Sequence, residues 1–114
     1  MEIITALTDA AVLENMLGQY YDDMVKAVVD VEREIFAVNA DMHADLERVL
    51  LDGGSRQEDL WGVNIFPRAA EEERIVFDSM INIRPNQNNR SRGVTDPAVR
   101  KRILEVINKK IKWR

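Results

Sequence analysis

Between Val25 and Val31 every second residue is apolar, and this alternation constrains the fold more than any other feature of the chain. Successive side chains of a β-strand point to opposite faces, so a strand is predicted with these residues on one buried face: Val25, Ala27, Val29 and Val31. Val28 lies among the polar residues of the other face, which is therefore expected to be partly covered. A tight turn at 32–34 and an apolar run at 35–38 then indicate a partner strand.

Further strands are predicted around Ile3 and in three later segments: residues 42–51, 60–66 and 75–83. Residues 52–55, with two consecutive glycines, predict the hairpin turn between two of these strands, since glycine supplies the backbone angles that a tight turn needs. Pro67 and Pro85 end the last two strands, because proline cannot donate a hydrogen bond to a neighbouring strand.

Two helices are predicted, one near each end of the chain. Thr8 and Asp9 have the oxygen side chains of a helix N-cap, and the first helix is expected to run to about Tyr21. Asp96 and Pro97 begin the second helix, whose apolar residues recur at helical spacing: Val99, Ile103, Val106, Ile107 and Ile111. The whole chain of 114 residues is thus predicted to form a single α+β domain. In it, a mostly antiparallel meander of five to six strands packs against an N-terminal and a C-terminal helix.

The amino-acid composition and the absence of certain motifs exclude several kinds of functional site. The chain contains no cysteine, which excludes disulfides, thiolate nucleophiles and Cys-ligated metal centres. It also contains no phosphate-binding loop, no Gly-rich dinucleotide turn and no nucleophile elbow. No basic segment followed by an apolar run begins the chain, and no window approaches the roughly 18 apolar residues of a membrane span. A cytoplasmic protein with no membrane partner is therefore expected.

Five segments carry a resemblance that extends from about residue 20 to the C-terminal helix: residues 24–32, 43–45, 54–62, 77–85 and 89–91. They resemble a family of short prokaryotic, mainly bacterial, uncharacterised proteins, a domain of unknown function. The resemblance implies a stand-alone domain in a prokaryotic cytoplasm, and it implies no activity.

Charge is distributed unevenly along the chain, whose formal net charge is −4. Residues 84–114 contain ten Lys and Arg against two Asp and Glu, whereas residues 1–83 contain six against eighteen. A basic segment of this kind favours a partner of opposite charge: an anionic ligand, a nucleic acid, an acidic protein, or the acidic part of the same chain, in cis or across a dimer. The sequence leaves the choice among these partners open.

The loop at residues 84–93 is the first candidate binding site. Three arginines and four amide side chains lie within ten residues, and such groups can bind phosphate, carboxylate or base edges. The predicted binding residues are Arg84, Asn86, Asn88, Asn89, Arg90 and Arg92, with longer-range attraction from Lys101, Lys109 and Lys110. Alternatively the loop is structural, and these side chains cap backbone groups and pair with acidic residues.

The second candidate site centres on the single histidine. On a strand, His43 and Asp45 would face the same side, and Asp78 with either Glu58 or Asp59 would complete the group from neighbouring strands. Imidazole and carboxylate groups at this spacing suit two ligands of one divalent metal ion, or an acid–base pair. The simpler interpretation is a polar strand face on which His43 is hydrogen-bonded to a carboxylate.

These patterns indicate three functions. The first is a small binding or regulatory domain that uses its basic C-terminal third. The second is a divalent-metal-dependent hydrolase or nuclease around His43, Asp45 and Asp78, with the metal as its only cofactor. The third is a structural component that assembles as a homo-oligomer through its acidic and basic surfaces. The sequence does not decide whether the protein is an enzyme.

Overall fold

The computed structural model describes residues 1–113, which form seven strands and three α-helices. The strands are β1 (Glu2–Ile4), β2 (Thr8–Asp9), β3 (Val25–Asp30), β4 (Ile35–Val38), β5 (Leu60–Ile65), β6 (Ile75–Val76) and β7 (Ile111–Lys112). The helices are α1 (Ala10–Glu14), α2 (His43–Asp52) and α3 (Pro97–Lys110). Single 3-10 turns lie at Gln57–Asp59, Glu71–Glu73, Met80–Asn82 and Pro85–Gln87.

Five strands form one antiparallel sheet in the order β1-β4-β3-β5-β6. β3 is its central strand, and Val28 lies opposite Ala37 of β4 and Gly62 of β5. β6 is much shorter than β5 and pairs only with Asn64 and Ile65. The remaining strands, β2 and β7, form a parallel pair that brings the two terminal segments together.

Helices cover both faces of the sheet. α1 and α3 lie on the face formed by the alternating residues of β3, and the core there includes Leu13 and Ile107. α2 lies on the opposite face, where Leu46 and Leu50 pack with Val28. The sheet is therefore the middle of three layers, and the expected cover around Val28 is confirmed.

Helix α2 occupies the segment that was predicted to be a strand at 42–51, so that prediction is wrong. The buried residues of this segment are His43, Leu46 and Leu50, at spacings of three and four. This spacing is helical, because one face of an α-helix recurs about every 3.6 residues. The run is short, and its polar residues also fit the two-residue alternation of a strand.

The hairpin predicted at 52–55 is also wrong, because these residues end α2. Gly54 has a φ of +102°, a conformation that glycine adopts without steric cost. The N–H groups of Gly54 and Ser55 donate to the carbonyls of Leu51 and Leu50, at 3.1 and 3.0 Å. This is the Schellman arrangement of a helix C-terminus, which uses the same residue types as a hairpin turn.

The first predicted helix is shorter than expected. Asp9 caps α1, and its carboxylate accepts a hydrogen bond from Ala11 N at 2.8 Å. The helix ends at Glu14 and gives way to turns rather than running to Tyr21. Gly18, at a φ of +90°, donates its N–H to the carbonyl of Tyr21 at 2.8 Å, and this bond closes the turn.

The strand predicted over 75–83 is confined to the two residues of β6. The hydroxyl of Ser79 accepts a hydrogen bond from Ile81 N at 3.3 Å and caps the 3-10 turn Met80–Asn82. The chain therefore leaves the sheet after β6, and the backbone of β5 at Gly62 needs another partner.

The α+β class, the mostly antiparallel five-stranded sheet and the helices near both ends are confirmed. Asp96 caps α3 by accepting from Ala98 N at 2.9 Å, and Pro97 is the first helical residue, as predicted. Among the helices of residues 1–113, none is long and apolar enough to cross a membrane.

Candidate functional site

The loop at 84–93 is organised by the side chain of Asn89, which is 2% exposed. Its Nδ2 donates to the carbonyls of Asn82 and Gly93, at 2.7 and 2.8 Å. Its Oδ1 accepts from the backbone N–H and the hydroxyl of Thr95, at 2.9 and 3.0 Å. Asn89 thus fixes the loop and has no capacity left for a ligand.

Arg84 is also buried in the fold. Its guanidinium donates to the carbonyls of Gln57 and Leu60, the latter at 2.6 Å, and lies over the ring of Trp61 at 4.1 Å from the centroid. Burial lowers the pKa of Arg84 from its usual value. The structure therefore places two of the predicted binding residues, Arg84 and Asn89, inside the domain, in the capping role that the alternative interpretation describes.

The side chain of Asn82 takes the place of a strand beside β5. Its Oδ1 accepts from Gly62 N at 2.8 Å, and its Nδ2 donates to Gly62 O at 3.0 Å. The same Nδ2 donates to the carbonyl of Arg92 at 2.9 Å. Asn82 is fully buried, so these bonds tie the loop to the sheet at the point where β6 has ended.

The other predicted residues of the loop are exposed. Asn86 and Arg90 face solvent, and Asn88 ends a 3-10 turn with a φ of +58°. Arg92 Nε donates to Asp78 Oδ1 at 2.7 Å. Within residues 1–113 this carboxylate is the only side-chain partner of Arg92, so the Nη1 and Nη2 groups remain available.

Part of the basic segment is neutralised by the acidic part of the same chain. Besides Arg92 with Asp78, two ion pairs join α3 to the turn after β3: Arg102 with Glu32 at 3.4 Å, and Lys109 with Glu34 at 3.0 Å. The hydrogen bond from Lys109 holds the pKa of Glu34 below its usual value. These pairs are exposed and contribute little stability, but they reduce the free positive charge of α3.

A pocket of about 100 Å³ lies between the N-terminus of α2, β3 and the segment 79–81. Its polar lining consists of Lys26, His43, Ser79 and Arg92. It contains one member of each predicted site, His43 and Arg92, and Asp78 lies beside it as the partner of Arg92. The tertiary fold thus brings one residue of each candidate site to the same pocket.

The ring of His43 forms one wall of this pocket and is 6% exposed. Its Nε2 lies 2.8 Å from the carbonyl of Val63, and because a carbonyl only accepts, Nε2 carries the proton. Burial lowers the pKa of His43, and the charge of Lys26 lowers it further, against the opposing effects of Val63 and Asp78. The imidazole is therefore neutral near neutral pH and holds the start of α2 against β5.

The geometry does not support the predicted metal site. His43 and Asp45 are two residues apart on a helix, so His43 is buried and Asp45 is exposed, and they do not share a face as they would on a strand. Glu58 and Asp59 belong to the 3-10 turn before β5. No group of three His, Cys, Asp or Glu side chains in residues 1–113 is placed to hold a metal ion.

Residues 2–110 match the protein-family model described as protein of unknown function (DUF5674). The chain belongs to this family. The resemblance to a domain of unknown function is therefore confirmed over nearly the whole chain. Comparisons with curated proteins and with solved structures gave no match.

In this DUF5674 domain, the sequence-based prediction missed two of the four polar pocket residues, Lys26 and Ser79. Lys26 was correctly placed on the polar face of a strand, but nothing in the sequence placed a helix N-terminus over that face. Ser79 lay within a predicted strand. The signal that could have found the site is the helical spacing of His43, Leu46 and Leu50, which puts the histidine at the start of a buried helix face.

The burial of His43 predicts a pH dependence of stability. The pKa of His43 is lower in the folded state than in the unfolded chain, so the unfolded chain binds a proton at a higher pH than the folded protein does. The free energy of unfolding therefore decreases as the pH falls from about 7 through the unfolded pKa of about 6.5. We expect the variant His43→Gln to show a flatter dependence of the free energy of unfolding between about pH 5 and 7, as measured by urea denaturation. His43 is the only histidine, so its imidazole can be titrated directly by NMR. A measured pKa at or above 6.5 would contradict the prediction.

Proposed function

We propose that the pocket beside His43 binds a small anion, and that this domain is a binding or regulatory module. The observation that carries the proposal is that Lys26 and Arg92 line one small pocket with groups still available to a ligand. The amino group of Lys26 has no hydrogen-bond or ion-pair partner within the described part of the chain, and the ring of Tyr21 lies 5.2 Å from it. The Nη groups of Arg92 can form a forked pair of bonds to two oxygens.

The neutral groups of the pocket favour the same ligand. Met42 is the N-cap of α2 and forms no side-chain cap bond, so the first amide groups of the helix lack the oxygen acceptor that Ser or Asp would supply. The positive end of the helix dipole adds to the attraction of an anion. Ser79 is 1% exposed, and its hydroxyl accepts from Ile81 N while its proton remains available to donate.

A small ligand is favoured over a nucleic acid by the layout of charge. Lys26 and Arg92 converge on a concavity of about 100 Å³, whereas two cations of α3, Arg102 and Lys109, pair with Glu32 and Glu34. A binding role is favoured over catalysis because the fold holds the imidazole in place: its Nε2 proton is committed to the carbonyl of Val63, and the ring is 6% exposed.

Anion titration monitored by ¹H–¹⁵N NMR tests the proposal. Acetate and inorganic phosphate are expected to shift the backbone amides of Ala44 and Ser79 and the Nε–H of Arg92. Arg92→Ala and Lys26→Ala should each weaken binding about tenfold, the usual effect of losing a hydrogen bond to a charged group.

Arg90→Ala is the matched control, since Arg90 is exposed on the same loop and does not line the pocket. It should leave anion affinity unchanged. Equal losses in Arg90→Ala and Arg92→Ala would contradict the pocket and would point to a diffuse basic surface of the kind that binds nucleic acid.

A further inference from the structure

We infer that the ligand of this pocket is a monocarboxylate with a short hydrocarbon part. The inference rests on the proposed function and adds two properties of the ligand: its charge and its apolar portion.

The charge of the pocket matches a single negative charge. Among the residues that line the pocket and their ion-pair partners, Lys26 and Arg92 contribute two positive charges, Asp78 contributes one negative charge through its 2.7 Å pair with Arg92, and His43 is neutral. Asp45, in the first turn of α2, is exposed and does not line the pocket. A monoanion therefore balances the site. A phosphate dianion would leave an excess negative charge beside Asp78, and like charges at such distances repel.

Methionine side chains form the apolar part of the lining. Met42 and Met80 are 57% and 65% exposed, and both border the pocket. Large apolar side chains at such exposure are candidates for ligand contact, and methionine adapts its shape to a bound hydrocarbon. An inorganic ion would leave these side chains in water, whereas a short alkyl group would cover them.

The volume of the pocket limits the length of the ligand. About 100 Å³ accommodates a carboxylate and a few carbon atoms. The carboxylate would lie between Lys26, Arg92 and the hydroxyl of Ser79, and the hydrocarbon would extend toward Met42 and Met80 at the rim. Carbon atoms beyond the rim would return to solvent and add no affinity.

A chain-length series tests the inference: acetate, propionate, butyrate, hexanoate and octanoate, with butyramide as the uncharged match for butyrate. Affinity measured by NMR titration should rise about two- to fourfold per methylene up to butyrate or hexanoate and then level off, because each buried methylene is worth about 0.8 kcal/mol at full burial. Butyramide should bind at least tenfold more weakly than butyrate.

The double variant Met42→Ala, Met80→Ala separates the two parts of the ligand, because alanine shortens both side chains and adds no oxygen acceptor at the N-cap of α2. It should abolish the gain with chain length while leaving acetate affinity unchanged. Leu7→Ala is the control, because Leu7 is 69% exposed and does not line this pocket.

The outcomes distinguish the inference from the proposed function. If acetate and phosphate bind and need Arg92, but affinity does not increase with chain length, the inference of a monocarboxylate ligand is overturned and the proposed anion site stands. A gain that persists in the methionine double variant would also overturn it. Failure of every anion to bind would overturn the proposed function and this inference together.

Discussion

Replacing Asn82 with alanine is expected to lower the free energy of unfolding by about 3 kcal/mol, since buried polar groups left without partners cost about 1–3 kcal/mol each. The substitution removes the side-chain amide that pairs with two groups of β5, the N–H and C=O of Gly62, which β6 does not reach. It also removes the bond to the carbonyl of Arg92. Water cannot readily replace the amide, because Asn82 is fully buried.

Urea denaturation measures this loss, and two further variants identify its cause. Asn82→Asp keeps the shape of the side chain but removes both Nδ2 donors, so it should retain most of the loss. Asn86→Ala is the matched control in the same loop, where the side chain is exposed, and should change stability by less than about 0.5 kcal/mol. A loss for Asn82→Ala no larger than that of Asn86→Ala would contradict the structural role of the amide.

Replacing Gly62 with alanine is expected to lower the free energy of unfolding by about 2 kcal/mol, within the range for overpacking a core. A Cβ at this position would lie 2.5 Å from both Cβ and Oγ of Ser79 and 3.2 Å from Cδ2 of His43. Ser79 cannot retreat easily, because its backbone N–H donates to the carbonyl of Arg92 at 2.9 Å. The clash therefore displaces a wall of the pocket, and anion affinity should fall as well.

The matched control for this substitution is Gly53→Ala. A Cβ at Gly53 would meet carbonyl oxygens at 3.5 Å, an ordinary contact, and its φ of −86° suits any residue. Stability should therefore stay within about 0.5 kcal/mol of the parent or rise slightly. Adding Ser79→Gly to Gly62→Ala removes both close atoms and should recover part of the loss. No recovery, or equal effects of the two alanine variants, would contradict the predicted clash.

The local sequence pattern was sufficient to predict the central part of the fold. The alternation around Val25, the apolar run at 35–38 and the segment before Pro67 all form strands of one sheet. Both patterns are typical of strands: alternation where the two faces differ, and a short apolar run where both faces are buried. The cap Asp96 and the stripe that includes Ile103 and Ile107 likewise specify α3, because capping and helical periodicity act over a few residues. The resemblance to a domain of unknown function was also correct.

Prediction from the local sequence pattern was wrong where two kinds of local structure use the same residue types. The glycines after Asp52 suit a hairpin turn and a helix C-terminus equally, and only the packing of Leu46 and Leu50 on the sheet selects the helix. After Val76 the chain no longer pairs with β5 as a strand. The side chain of Asn82 instead forms the two hydrogen bonds, to the N–H and C=O of Gly62, that a neighbouring strand would form. A short apolar run in the sequence does not indicate whether a strand or a side chain will bond to the neighbouring strand.

The sequence by itself determined the α+β class, the central strands, the last helix and the family, because these depend on periodicity and capping within short windows. It also singled out His43 and Arg92, although for different sites and on a wrong secondary structure for His43. Only the tertiary structure decided that the two residues line one pocket with Lys26 and Ser79, and that Arg84 and Asn89 serve the fold. The physical reason is that a binding site depends on contacts between residues distant in sequence, which helix α2 creates when it packs on the second face of the sheet.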